Sequence, residues 1–244
     1  MRRALLYGVL ALLAVWSVVW ALQVWYLGWV LWYRWQDPRQ TAFMRARLGE
    51  LREERADARL DYRRVPYARI ARSLKRAIVV AEDAHFVEHE GFDWEGIQRA
   101  MQKNRRKGRV VAGGSTISQQ LSKNLFLSTR RSYLRKAQEA AITVMVETLL
   151  SKERILELYL NVIEWGDGVF GAEAAAHRYF GVPASALSAS QAALLAAMVP
   201  NPRYYERNLG NGRLRRRASV ILRGMGEAEL PEAQKPRKAE RAAR

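Results

Sequence analysis

The sequence contains no cysteine, which excludes disulfides, cysteine–zinc sites and a thiol nucleophile. The compartment stays open, because a chain without thiols suits either side of a membrane. Histidine occurs only 3 times. His85 and His89 stand at i, i+4, but the His-Glu-x-x-His order of the zinc hydrolases is missing and His177 is the one other imidazole. Alternating strand patterns are scarce, with Arg109-Val110-Val111 the one short candidate. Acidic residues are few: 24 Asp and Glu face 41 Lys and Arg, giving a formal charge of +17. An excess of that size points to an anionic partner, whether nucleic acid, a lipid headgroup surface or a phosphorylated substrate, and composition does not choose among them. No internal repeat is visible.

What is present is organised in blocks. The 49% hydrophobic fraction excludes a disordered chain, and 244 residues hold one ordinary domain with appendages. Residues 4–33 carry no charge and exceed the roughly 20 needed to cross a bilayer. Trp25, Trp29, Trp32 and Tyr33 sit near the far end, where interfacial aromatics belong. The run lacks a small-x-small cleavage site, so it reads as a retained anchor behind a short N-terminus, residues 1–3. Charge does not settle orientation: Arg2 and Arg3 precede the span, whereas Arg34, Arg39, Arg45 and Arg47 follow it, which by the positive-inside bias favours a cytoplasmic domain. Residues 34–64 read as a charged helical stalk with a weak apolar stripe. Residues 65–205 read as the domain, and 206–244 as a solvated basic tail near an anionic surface. The tail shows no aromatic interleaving of the kind that binds single-stranded nucleic acid.

The domain reads as mainly α. Ser73 is a candidate cap for a helix through Leu74, Ala77, Ile78 and Val80. Thr116 with Gln119 and Ser188 with Gln191 form capping-box patterns. Helical spacing runs from Arg131 to Leu150 and again from Lys152 to Asn161. Pro200-Asn201-Pro202 is a stop signal.

Four clusters could carry chemistry. Glu82-Asp83 directly follows the apolar run Ala77–Ala81. A carboxylate at the edge of a core is partly desolvated, which raises its pKa and makes it a better base. On pattern alone a polar helix end is the simpler reading. Gly113-Gly114 leads into a helix start, which suits an anion, and Gln120 and Lys123 share a face there. The run is not a nucleotide phosphate loop, because no Gly-Lys-Ser/Thr closes it. A capped helix with a solvated lysine explains that spacing equally well. Arg135 and Glu139 at i, i+4 are either a surface ion pair or, if their face turns toward Lys123, part of a cleft fit for a diphosphate. In the run 154–171, Asn161, Glu164 and the glycine-rich turn could shape a cleft wall, while the apolar residues read as core.

Taken in order, E-D-x-x-F-x-x-H-x-G from Glu82, G-G-S-T-I-x-Q-Q-L-x-K-N from Gly113, R-K-x-x-E from Arg135 and R-I-L-E-L-Y-L-N from Arg154 closely resemble the peptidoglycan glycosyltransferases, family 51. The resemblance runs from about Asp37 to Tyr205. Glu164-Trp165-Gly166 with Phe170-Gly171-Ala172-Glu173 looks like the monofunctional biosynthetic branch. Departures are small: Ala84 and His85 stand where relatives often have an arginine, and Ser118 where threonine is common.

The resemblance implies a lysozyme-like helical domain with a small membrane-proximal jaw lobe that includes Lys103–Arg109, plus one N-terminal transmembrane helix. It implies lipid II and the growing glycan strand as substrates, joined with inversion into β-1,4 glycan with release of undecaprenyl diphosphate. Glu82 matches the general base. Glu139 matches a second glutamate that orients a cation or assists the leaving group, directly or through a metal. Lys123 and Arg135 match the phosphate-binding cations, and Ser115, Thr116, Gln120 and Asn124 would line the donor side. No cofactor is required, although a divalent cation, Mg or Mn, is left open. The domain would face the periplasm from the bacterial inner membrane, against the charge count. Membrane lipids and cell-wall assembly proteins are the further partners implied, and nucleic acid is not one. No Ser-x-x-Lys or Lys-Thr-Gly is present, so no transpeptidase activity is expected. The rival enzyme is a membrane-anchored muramidase or lytic transglycosylase, which needs no diphosphate site. A non-enzymatic scaffold would tolerate loss of Glu82.

Overall fold

A computed structural model describes residues 2–109, 113–128 and 132–231. The candidate strand at Arg109-Val110-Val111 falls largely outside these residues, as does the basic run Lys235–Lys238. Within them, helices dominate: α1 (Arg2–Trp32), α2 (Ala42–Glu54), α3 (Arg72–Glu82), α4 (Trp94–Lys107), α5 (Ile117–Phe126), α6 (Tyr133–Leu149), α7 (Lys152–Val162), α8 (Ala172–Phe180), α9 (Ala189–Met198), α10 (Pro202–Glu206) and α11 (Gly212–Gly224). The core is built from α3, α5, α7 and α9, each burying an apolar face that includes Leu74 and Ile78, Ile117 and Leu121, Leu156 and Tyr159, and Leu195 and Met198. Both capping boxes form, so the starts of α5 and α9 are fixed by local sequence. Helix α3 starts at Arg72 with Ala71 in the cap position, and Ser73 Oγ instead donates to Leu187 O at 2.8 Å.

Three short strands were not legible. β1 (Asp61–Tyr62) pairs in parallel with β3 (Val169–Phe170), which pairs antiparallel with β2 (Glu164–Gly166). Strands of two or three residues are too short to show a period of two. Gly171 follows β3 with φ +85°, and a Cβ there would come within 2.6 Å of Arg63 O, so only glycine fits where the sheet feeds into α8.

Helix α1 has the length and apolar composition to cross a membrane. Its C-terminal third does not simply emerge from the bilayer. Gln23 and Gln138 exchange amide hydrogen bonds of 2.9 and 3.0 Å, joining α1 to α6. Tyr26 and Tyr33 pack on Phe126 of α5, and Arg154 Nε donates to Tyr33 O at 2.8 Å.

The charged stalk expected over 34–64 packs on the domain through α2. Met44 and Leu51 of α2 are buried, and Arg47, only 7% exposed, reaches three carboxylates. Its Nε donates to Glu164 at 3.1 Å, Nη1 donates to Glu50 at 2.6 Å, and Nη2 pairs with Asp167. Burial pushes the Glu164 carboxyl up, opposed by the Gly168 N–H and by Arg47. Arg47→Ala leaves Glu164 buried with its main cation gone and is expected to destabilise the chain by about 3–5 kcal/mol, checked by denaturant or thermal melting.

The basic tail is likewise part of the fold as far as it is described. Leu214, Ile221 and Met225 are buried, and α11 packs on α9 and α3. The stretch Lys103–Arg109, expected in the jaw lobe, is largely the end of α4, closed by Gly108 in the left-handed conformation. Helix α4 buries only Ala100 and leaves Trp94 and Met101 exposed, so it projects from the core beside the chemistry described next.

Candidate active site

Helix α3 ends at Glu82, so its apolar face delivers that carboxylate to the edge of the core. The side chain is 11% exposed. Burial pushes its pKa up, opposed by the Gln120 amide and by the charges of Arg217 and Lys123. Each oxygen is held. Gln120 Nε2 donates to Oε2 at 2.9 Å, and Arg217 Nη2 donates to Oε1 at 3.2 Å. Gln120 is itself oriented by Tyr159, whose hydroxyl donates to Gln120 Oε1 at 3.0 Å. That contact leaves the Gln120 NH2 group facing Glu82.

Asp83 fixes the next link. Its Oδ2 accepts from the Ile117 N–H at 2.9 Å, at the start of α5, and Oδ1 lies 2.8 Å from His89 Nε2. The Gly91 N–H donates to His89 Nδ1 at 3.2 Å, so Nδ1 is the acceptor and the ring proton sits on Nε2, directed at Asp83. Both nitrogens of His89 are thereby occupied. Thr116 accepts from Gln119 N–H and donates to Gly91 O at 2.7 Å. Its hydroxyl ties α5 to the 83–91 loop, and the residue also lines the cavity that Glu82 opens onto. The Asp83 and Thr116 contacts together hold α3 and α5 so that Glu82 meets Gln120.

Ser115 is exposed and, with Glu82, Asp93, Arg99 and Gly114, lines an open cavity of about 330 Å³. On α5, Lys123 lies within electrostatic reach of Glu82, Glu139, Arg135 and Lys136. Burial pushes its pKa down, with Glu139 opposing. Its ammonium makes no hydrogen bond to a described residue. Asn124, one position on, is buried and also makes no side-chain hydrogen bond among the described residues.

Glu139 is buried on α6. Arg135 Nη1 donates to Oε2 at 3.1 Å, and Lys136 pairs with Oε1. Arg135 keeps a buried Nε–H with no partner among the described residues. The face of α6 does turn toward Lys123, so the pair at i, i+4 is not a surface ornament. A buried carboxylate here locks two cations, leaving a guanidinium N–H and an ammonium that have no hydrogen-bond partner among the described residues. That combination is a site for an anion with several oxygens. Glu147 stands apart from it, paired with Ser118 and Lys152.

No preformed cage for a metal occurs among the described residues. Glu139 has both oxygens in ion pairs, His89 has both nitrogens occupied, and no group of three or more His, Asp or Glu side chains arranged to hold a cation occurs among the described residues. Sequence reasoning missed Tyr159, which looked like core, and Arg217, which looked like tail. The pattern Leu214, Ala218, Ile221, Met225 was the available signal for Arg217. It is a helical stripe, and position 217 falls beside it.

Residues 49–226 match the transglycosylase family, which takes in half of the stretch expected to be stalk and part of the expected tail. A biosynthetic peptidoglycan transglycosylase of Dechloromonas aromatica (strain RCB) is 58% identical over 229 residues, 94% of this chain and 96% of the relative. One from Azoarcus sp. (strain BH72) is 61% identical over 221 residues, 91% of this chain and 95% of the relative. One from Laribacter hongkongensis (strain HLHK9) is 57% identical over 231 residues, 95% of this chain and 100% of the relative.

Proposed function

The chain belongs to the transglycosylase family, and from that premise we propose how its residues build glycan. It is a membrane-anchored peptidoglycan glycosyltransferase that uses lipid II and the glycan strand as substrates. The finer reading follows from the chemistry of the site. The acceptor 4-hydroxyl attacks the anomeric carbon of the donor sugar, an O–C bond forms, and the C–O bond to the diphosphate breaks. The hydroxyl proton passes to Glu82, and the electron pair leaves with the diphosphate. A diphosphate needs its charge stabilised more than it needs a proton, and Lys123 and Arg135 supply that stabilisation. Glu139 holds Arg135 and Lys136 in place and takes no proton. Attack from the face opposite the leaving group inverts the anomeric centre, giving a β-1,4 strand.

The observation that carries this reading is one juxtaposition. A carboxylate with only 11% of its side chain exposed lines an open cavity, and a half-buried lysine with no hydrogen-bond partner among the described residues lies within its electrostatic reach. A glycan-cleaving enzyme has no use for the two unpartnered cationic donors. The domain faces the periplasm, where the +17 charge favours adhesion to anionic headgroups. It carries no peptide cross-linking activity.

Two measurements check these points together. NMR of the product made from lipid II by the full chain should show only β-1,4 linkages; retained α linkages contradict inversion. Because the chain has no cysteine, Asn208→Cys gives a single label site. A membrane-impermeant maleimide should label it in spheroplasts, and protection until lysis contradicts the orientation.

A further inference from the structure

The established reaction leaves α11 without a task, yet this helix reaches the proposed base. Leu214 and Ile221 are buried against the core, and Arg217 lies three residues after the first and four before the second, on the same face. Its Nη2 donates to Ala81 O at 3.3 Å and to Glu82 Oε1 at 3.2 Å. Helix α11 is held close to α3 on that side: a Cβ at Gly224 would come within 3.1 Å of Val80 Cγ1.

We propose that Arg217 is a positioning residue of the transferase. It fixes Glu82 Oε1 and keeps the carboxylate ionised, so that the free lone pairs face the acceptor hydroxyl. This rests on the reading of Glu82 as the base.

The charged and polar groups around Glu82 allocate the roles. From α5 come the Gln120 amide on Oε2 and the Lys123 ammonium. From α7 comes the Tyr159 hydroxyl, which is committed to Gln120. Asp83 on the same segment repels the charge, and burial opposes it further. Lys123 is shared with Glu139, and in this reading it serves the diphosphate. Arg217 is the cation in direct contact with a Glu82 oxygen. Arginine suits the task because it stays charged at any working pH and grips a carboxylate and a carbonyl with one nitrogen. Its side chain is 38% exposed, so solvent screens part of its effect.

The test is the pH profile of kcat/KM for lipid II polymerisation by the full chain, with Arg217→Ala, Arg217→Lys, Glu82→Gln and the control Arg223→Ala, whose side chain lies on the exposed face of α11. For Arg217→Ala the acid limb should move up by about one unit, a loss of roughly tenfold at low pH that is recovered at alkaline pH. Arg217→Lys keeps the charge and should leave the limb near its original position, and Arg223→Ala should match the unaltered chain. If Arg217→Ala does not fold, the lysine variant decides: full alkaline activity supports the proposal, and an even loss across all pH values overturns it. For Arg217→Ala, an unmoved acid limb with a raised KM assigns Arg217 to substrate binding and overturns the proposal. An even loss assigns it to the fold alone and also overturns it. If Glu82→Gln polymerises normally, the underlying reading of the base fails, whatever Arg217 does.

Discussion

Polymerisation by the Glu82→Gln chain should fall by about 10³-fold, within the range of about 10²–10⁴ that a positioned general base supplies. Gln is nearly isosteric and still accepts from Arg217 or Gln120, so the cavity keeps its shape while the proton acceptor disappears. The loss should not be a loss of fold. Burial raises the Glu82 pKa, so the ionised form is disfavoured in the folded chain. The sign follows from linkage: stability tied to this group is present below its unfolded pKa and is lost as pH rises through the raised folded value. Near neutral pH, a neutral side chain at position 82 therefore removes an unfavourable ionisation, and the melting temperature should not drop. The same raised pKa sets the acid limb of activity, which rises as Glu82 deprotonates. Unchanged activity in the variant, measured by lipid II consumption, would remove Glu82 from the chemistry.

Lys123→Ala should lower kcat/KM by about 10²–10³, the scale of losing one preorganised donor to developing charge. Arg135→Ala should fall in the same range and also free Glu139 from one of its two cations. Burial pushes the Lys123 pKa down, so this ammonium loses its proton earlier than an exposed lysine does. The activity profile should accordingly be bell-shaped, with Glu82 on the acid side and Lys123 on the alkaline side. Lys123→Arg should move the alkaline limb up, because a guanidinium stays charged. An alkaline limb that stays in place in Lys123→Arg would show that another group titrates there.

Much of this was legible because the information is local. The capping boxes at Thr116 and Ser188 name the starts of α5 and α9 outright. An apolar run ending in Glu82 places a carboxylate at the edge of a core, and i, i+4 spacing pairs Arg135 with Glu139. What was hidden depends on long-range contacts. Arg47 meets Glu164 across 117 residues, and Arg217 meets Glu82 across 135. Charge density around 34–64 and after Pro202 looked like solvated chain, because arginines that face buried carboxylates read the same as arginines that face water. The stripe of Met44 and Leu51, and that of Leu214, Ile221 and Met225, carried the correction, since apolar residues at helical spacing ask for a partner surface. Thr116 has two roles that its motif does not separate: it lines the cavity, and its hydroxyl serves the cap and Gly91 O.

The central claim is glycosyl transfer with Glu82 as the base, and one measurement reaches it most directly. The full chain and its Glu82→Gln variant are mixed with purified lipid II in detergent, with a divalent cation supplied, and both lipid II binding and glycan formation are followed. The unaltered chain should make polymer and release undecaprenyl diphosphate. The variant should bind lipid II with the same affinity and make polymer about 10³-fold more slowly. Polymer from the variant within tenfold of the unaltered rate would contradict the account.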